Sequence, residues 1–219
     1  MKSYFLSFCL IASSLFLFTH CSKDDDSPST DASANYSPLT VGSNWTYNAT
    51  EGDSDTSSFT LTVTDKDTGI NNKTYKVLSS SDGLENNYLA KIDSNYYRYS
   101  SFPGIGSIEE LYLKDNRPLN STWTNTASFT IPESPVPVPL TADLTYTVKE
   151  KDITHVVSGK TYNDVIHINV TISVSSLNFG QGDFYYAKDI GLIENSIRLT
   201  DPTQGMYTTN QVLVSHDIK

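Results

Sequence analysis

The stretch VIHINVTISV, Val165–Val174, decides the fold class of this chain. Its apolar and polar side chains alternate with a period of two, which is the pattern of a β-strand with one buried face. A second stretch, LTADLTYTVK at Leu140–Lys149, repeats the pattern. We therefore expect two antiparallel strands whose core-facing residues are Ile166, Ile168, Val170, Ile172 and Val174 in the first and Leu140, Ala142, Leu144, Tyr146 and Val148 in the second.

Similar alternation continues on both sides of these stretches, whereas helical periodicity is nearly absent. The pattern predicts an all-β domain with about a dozen antiparallel strands, arranged as one large curved sheet, an open barrel or a sandwich. The shorter predicted strands contain Thr46–Ala49, Phe59–Val63, Tyr75–Val77, Tyr88–Ile92, Tyr96–Ser100, Leu111–Lys114, Phe184–Ala187, Leu192–Leu199 and Tyr207–Ser215.

Turn residues separate these strands. Gly180–Asp183 predicts a hairpin turn and Gly191 a β-bulge, because glycine adopts backbone conformations closed to other residues. The proline-rich run Pro132–Pro139 predicts an edge or loop, since each proline lacks a backbone donor. Three further turns are predicted at Asp65–Gly69, Asp82–Gly83 and Asp93–Asn95.

The first 20 residues have the pattern of a secretory signal sequence, with Lys2 followed by an apolar run from Tyr4 to Phe18. The run is too short to cross a bilayer, which takes roughly 20 apolar residues. Its end, Leu17–Cys21, resembles a bacterial lipobox. The resemblance implies that Cys21 is the lipid attachment site and carries fatty acyl chains such as palmitate.

The residues after this cysteine are Ser22, Lys23, Asp24, Asp25 and Asp26. They resemble the lipoprotein export signal of Bacteroidota, which implies an outer-membrane protein that faces the cell surface. A solvated charge run in a linker is the alternative. The composition of residues 21–35 is that of a flexible acidic tether, and the β domain is expected at 36–219.

Three stretches inside the predicted domain resemble uncharacterised envelope lipoproteins of Bacteroidota, similar to TapB-like domains. They are Pro38–Tyr47, Tyr162–Ile168 and Tyr186–Glu194. The resemblance implies an antiparallel β fold related in shape to the half-barrels of Lol-type lipoprotein carriers. It implies no known activity.

The composition argues against several kinds of chemistry. The formal net charge is −10 without a basic cluster, so the surface should repel nucleic acid. The two cysteines, Cys9 and Cys21, lie in the leader or at its end, which leaves no disulfide for the domain. His155, His167 and His216 lack zinc-site spacing, and Asp65–Lys76 lacks the ligands of a calcium loop. We expect no metal and no cofactor.

Catalytic motifs are also missing from the sequence. There is no Gly-x-Ser-x-Gly motif, and a glycosidase would need two carboxylates across a cleft. Glu109, Glu110, Glu150 and Glu194 are available, but sequence alone cannot pair them, and such residues are usually solvated. We expect that the protein is not an enzyme.

The tyrosines are the best candidates for ligand contact. Tyr97 and Tyr99 share one strand face, and Tyr112 lies on an expected neighbour, so the three could contact a glycan or an apolar ligand. Ordinary cross-strand packing is the alternative. The sequence thus favours a membrane-anchored, non-catalytic module that binds a glycan, an apolar ligand or a protein partner. The alternative is an envelope assembly or accessory lipoprotein that docks a larger complex through its sheet edge.

Overall fold

In the computed structural model, the part of the chain that is described begins at Ala34 and ends at Lys219. Within it, no helix is long and apolar enough to span a membrane. The predicted signal sequence, the attachment site Cys21 and the export residues Ser22–Asp26 lie outside the described residues. The described residues are 34–52, 56–83, 87–102, 106–131, 138–174, 176–201 and 205–219.

In the described residues, twelve strands form a single, nearly closed, barrel-shaped sheet in which every pair of neighbours is antiparallel. The predicted all-β class is confirmed, and the barrel is the arrangement that the chain adopts. The strands are β1 (Asn44–Glu51), β2 (Ser57–Ile70), β3 (Lys73–Ser80), β4 (Asn87–Ile92), β5 (Asn95–Phe102), β6 (Gly106–Lys114), β7 (Thr122–Ile131), β8 (Val138–Val157), β9 (Lys160–Val174), β10 (Leu177–Ala187), β11 (Gly191–Asp201) and β12 (Gly205–Asp217).

The sheet consists of two meanders joined through β1 and β12. Strands β1 to β6 pair successively on one side, and β12 back to β7 pair successively on the other. The two edge strands, β6 and β7, are consecutive in the chain. The barrel therefore has one seam, between β6 and β7.

Side chains bridge this seam. The indole Nε1 of Trp123 donates a hydrogen bond to the carbonyl oxygen of Leu111 at 2.6 Å, and Nδ2 of Asn125 donates to the same oxygen at 3.1 Å. Lys151 Nζ donates to the carbonyl of Asp115 at 2.8 Å. Backbone acceptors at the edge of β6 thus find partners on the other half of the barrel.

The hydrophobic core fills the interior of the barrel. The predicted alternation identifies residues of β8 and β9 that face it. Ile166, Ile168 and Val170 of β9 are buried, as are Tyr146 and Val148 of β8. Each such side chain contributes about 1.5–3 kcal/mol when it leaves water. Residues of β9 between them, such as His167, project from the outer face of the sheet.

The first described residues close one end of the barrel. Tyr36 is buried, and its backbone N–H donates to the hydroxyl of Tyr96 at 3.2 Å. That hydroxyl donates to the carbonyl of Ala34 at 3.0 Å, while the backbone N–H of Asp189 donates to the carbonyl of Asn35 at 2.6 Å. The first described residues of the domain therefore lie across this end of the barrel.

The predicted turn at Asp65–Gly69 is wrong, because β2 continues through it to Ile70. A register shift between Val63 and Asp67 accommodates these residues as a bulge. The chain reverses instead at Asn71 and Asn72, whose φ angles of 49° and 61° suit a tight hairpin turn.

The predicted hairpin turn at Gly180–Asp183 is also wrong, since these residues lie within β10. Here the glycines serve close packing. A Cβ atom on Gly180 would lie 2.4 Å from the carbonyl oxygen of Arg198. By contrast, Gly191 has a φ of 106° and pairs with Ala187, and the predicted bulge lies later, at Ile193, which the register shift between Tyr185 and Tyr186 leaves without a partner on β10.

The proline-rich run is only partly described. Residues 132–137 lie outside the described part of the chain, whereas Pro139 belongs to β8 and pairs with Thr130 of β7. The pairing of β8 with β9 begins only at Ala142. Pro139 therefore has a strand partner on one side only, which is where a strand tolerates proline.

Candidate functional site

A charged pair lies on the inner face of the barrel. Arg98 of β5 and Glu110 of β6 are directly opposite each other in the antiparallel ladder. The guanidinium Nε donates to Oε2 of Glu110 at 2.6 Å, and Nη2 lies 2.6 Å from the same oxygen. The ladder register alone thus brings these two charges into contact.

Tyr146 completes the group from the other side of the seam. Its hydroxyl donates to Oε1 of Glu110 at 3.0 Å, so both carboxylate oxygens have partners. The Glu110 side chain is 11% exposed and that of Arg98 is 34% exposed. The carboxylate is therefore enclosed, while the guanidinium keeps part of its surface accessible.

Electrostatics fix the protonation states of Arg98 and Tyr146. Burial alone lowers the pKa of Arg98, but the charge of Glu110 outweighs it and the net direction is upward. Burial and then the negative charge of Glu110 raise the pKa of Tyr146. The arginine therefore remains a cation and the tyrosine a hydrogen-bond donor over the whole neutral range.

These residues line a partly open cavity of about 70 Å³ in the barrel interior. An apolar cavity of about 150 Å³ holds benzene, so this space, at about half that volume, fits a group of about three non-hydrogen atoms. Apart from the charged pair its wall is aromatic, aliphatic or glycine, formed by Tyr112, Leu144, Tyr146, Val170, Ile172, Gly182, Phe184, Tyr186 and Ile197.

Gly182 helps to keep this space open. A Cβ atom at this position would lie 3.0 Å from the ring of Phe184 and 3.2 Å from Cγ1 of Ile197. Both are cavity-lining side chains, so a larger residue would press on them. In the sequence, Gly182 indicated only a turn.

The structure separates the three predicted tyrosines. Tyr97 and Tyr99 alternate with Arg98 and therefore share the outer face, as expected. Tyr112 is buried in the interior, where its ring centroid lies 5.5 Å from that of Tyr186. A register shift between Tyr96 and Tyr97, which the sequence does not reveal, lets Tyr112 turn inward.

The outer face near Tyr97 and Tyr99 carries its own polar cluster. Tyr75 and Lys73 both donate hydrogen bonds to Glu109, and Lys73 Nζ lies 4.8 Å from the ring centroid of Tyr97. Burial raises the pKa of Glu109, but these hydrogen bonds outweigh it and lower the pKa overall. The rings of Tyr97 and Tyr99 are thus half-buried, partly covered by neighbours within the protein.

Two of the histidines enclose a tyrosine on the outer face. The rings of His155 and His167 stack on Tyr185, with centroid distances of 4.0 and 4.3 Å. His167 contacts Glu150 and Asp183, and His155 contacts Glu194. These contacts enclose His167, whose side chain is only 13% exposed although it lies on the outer face of the sheet.

His216 lies apart from this stack on β12. Burial and the nearby Lys160 lower its pKa. Among the described residues, no group of three histidine, cysteine or acidic side chains is arranged to hold a metal ion.

The four glutamates considered for a glycosidase occupy different places. Glu110 is the carboxylate of the cavity wall, whereas Glu109 forms a salt bridge with Lys73 on the outer face. Glu150 and Glu194 contact histidine rings. All four therefore have partners, and the lining described here does not contain a second carboxylate.

Arg98 and Glu110 were not among the site residues predicted from the sequence. The alternation of the strand could have indicated them. Arg98 is two residues from Tyr96 and therefore lies on the face opposite to Tyr97. If that face is buried, a charged residue on it must be paired.

The chain matches no protein-family model and no curated protein. Among solved structures it is similar to a candidate lipoprotein from Parabacteroides distasonis ATCC 8503, with 13% sequence identity and a TM-score of 0.49. It is also similar to a candidate exported protein with a YmcC-like fold from Bacteroides fragilis NCTC 9343, with 12% identity and a TM-score of 0.41. Each match covers 84% of this chain and 99% of the other. At this level of similarity no activity or partner carries over to this chain.

Proposed function

We propose that this protein is a lipoprotein of the outer membrane, anchored through Cys21 and facing the cell surface, whose barrel binds a small ligand without catalysis. The lipobox-like end of the apolar leader and the acidic run Ser22–Asp26 support the anchor. The observation that carries the binding role is the Arg98–Glu110 pair on the wall of an otherwise aromatic and aliphatic cavity.

The cavity is suited to binding because it combines a few polar groups with a mostly apolar wall. The polar groups fix the orientation of a ligand, and the apolar wall contributes to affinity. Since the cavity is about 70 Å³, it takes one end of a ligand rather than a whole sugar ring. This size favours an apolar or amphipathic ligand over a glycan.

Docking through a sheet edge has less support. Edges β6 and β7 face each other, and the indole of Trp123 already donates to the carbonyl of Leu111. A partner strand would have to break this contact. The glycosidase alternative needs a second carboxylate beside Glu110, and the described cavity wall does not supply one.

The anchor is tested at the N-terminus of protein purified from its native host. Mass spectrometry should find a lipid-modified Cys21 as the first residue. Cys21→Ala should release the protein from the membrane fraction, whereas Cys9→Ala, a matched change inside the leader, should not. An unmodified N-terminus in the wild-type protein would contradict the anchor.

The binding role is tested with a set of four-carbon probes, namely butyramide, butyrate and butylammonium, followed by NMR shifts of the cavity-lining residues. At least one should shift them in the wild-type protein. Val170→Leu adds a methylene to the cavity wall and should weaken that shift. Thr171→Val, the neighbouring change on the outer face, should leave it unchanged. If no probe shifts the lining residues, the binding role is wrong.

A further inference from the structure

We infer that the ligand of this cavity is a short neutral amphiphile whose head group both donates and accepts hydrogen bonds, such as a primary amide. This inference rests on the proposed function and names the chemical class that the same site would take.

The charge of the cavity wall is the first reason. Arg98 and Glu110 are the charged residues of the lining, and they neutralise each other across 2.6 Å. An anionic head group at Arg98 would also lie close to the carboxylate of Glu110. A cationic head group at Glu110 would lie close to the guanidinium. Neither an anionic nor a cationic head group therefore gains a net counter-ion. Each would lose its hydration on entering an enclosed apolar space.

The hydrogen-bonding capacity of the pair is the second reason. A guanidinium has five N–H donors, and two of those of Arg98 point to Glu110. A carboxylate accepts about four hydrogen bonds. Within the described residues Glu110 accepts two from Arg98 and one from Tyr146. The wall therefore offers spare donors and a spare acceptor side by side.

A primary amide matches this arrangement. Its carbonyl oxygen can accept from Arg98 while its N–H donates to Glu110, and it carries no charge. A carboxylate can accept but cannot donate, so the spare acceptor of Glu110 would stay unmatched. An ammonium can donate but cannot accept from Arg98.

The rest of the wall defines the other end of the ligand. Leu144, Val170, Ile172 and Ile197 are aliphatic, and Phe184 adds an aromatic ring. These side chains fit methylene groups. Leu144, Ile172 and Ile197 are only half-buried, so a short tail can continue past them from a cavity of about 70 Å³.

The test compares butyramide, butyrate and butylammonium, which share a tail length and differ in charge. NMR titration of the wild-type protein should give butyramide an affinity at least about tenfold higher than either ion, because the ions lose hydration without a net counter-charge. Equal or tighter binding of butyrate or butylammonium would overturn the inference while leaving a binding role in place. Absence of binding by all three would overturn both.

Variants then test whether this pair sets the preference. Glu110→Gln leaves Arg98 unneutralised, so butyrate should gain affinity relative to butyramide. Arg98→Gln should instead increase the affinity for butylammonium relative to butyramide. This variant replaces Glu110→Gln in the test if Glu110→Gln does not fold. Glu109→Gln changes the neighbouring carboxylate on the outer face and should keep the wild-type order. An unchanged order in a folded Glu110→Gln or Arg98→Gln protein would overturn the inference.

Discussion

Replacing Arg98 by Met should destabilise the barrel more than any other change at the charged pair. The substitution leaves the Glu110 carboxylate, whose side chain is 11% exposed, without its counter-ion. Breaking a buried pair in this way costs about 3–5 kcal/mol. We expect the lower end, about 3 kcal/mol, because the lost arginine is itself 34% exposed and partly solvated.

The reverse change should cost less. Glu110→Gln leaves Arg98 unpaired, but that side chain has access to solvent and the amide still accepts from Tyr146. A loss of about 1–2 kcal/mol is expected. The double variant Arg98→Met/Glu110→Gln removes both charges, so it should be more stable than Arg98→Met alone and within about 1 kcal/mol of the wild type.

Urea denaturation followed by circular dichroism measures these differences. The loss of about 3 kcal/mol corresponds to a fall in melting temperature of about 6–12 °C for a domain of this size. If the uncompensated carboxylate is the cause, removing its charge in the double variant should recover most of the loss. A double variant as unstable as Arg98→Met would refute this reasoning.

Three further predictions concern other parts of the barrel. Trp123→Phe removes the indole donor to Leu111 at the seam and should cost about 1–2 kcal/mol in urea denaturation, whereas no loss would mean that the bond does not hold the seam. Glu109 has a lowered pKa in the folded protein, so its stabilisation is present above the ordinary carboxyl pKa and is lost as the pH falls through the lowered value. Glu109→Gln should therefore flatten the acid limb of the stability profile, and an unchanged acid limb would contradict this. Gly180→Ala should lower the free energy of unfolding by about 1–3 kcal/mol, because its Cβ would meet a backbone carbonyl at 2.4 Å. Gly69→Ala, which has open space around it, should lower it little, and equal losses in the two variants would refute the packing argument.

Much of the fold could be predicted because alternation reports directly on a sheet with one buried face. The pattern of Val165–Val174 identified the buried side of β9, and the turn at Asp93–Asn95 identified the hairpin of β4 and β5. These signals are local, since they depend on neighbours within a few residues. The choice between a barrel and a sandwich depends on which distant strands meet, and β1 meets β12 only through the whole fold.

The wrong predictions share a physical cause. Glycine marks both turns and close packing, and Gly180 and Gly182 serve packing. The run Asp65–Gly69 has turn composition, yet β2 continues through it as a bulge and turns at Asn71–Asn72. In both cases the tertiary contact, rather than the local sequence, selects the conformation.

The candidate site was the hardest part to predict. Tyr97 and Tyr99 were correctly placed on one face, but a bulge moves Tyr112 into the interior beside Arg98. A one-residue shift in register changes which face a side chain occupies. The pairing of Arg98 with Glu110 depends on that register, and so it becomes visible only in three dimensions.

The meeting of β1 and β12 has a consequence for how the chain folds. Every other ladder joins strands that follow each other in sequence, and such hairpins can form early from nearby residues. The ladder that joins Asn44 to Asp217 instead requires closure of nearly the whole domain. A closure of this length has an entropic free-energy cost on the order of 4–5 kcal/mol. The chain incurs this cost in a single step, when the two halves of the sheet come together. We therefore expect the rate of folding to depend most on residues of this ladder, such as Tyr47 and its partner Leu213.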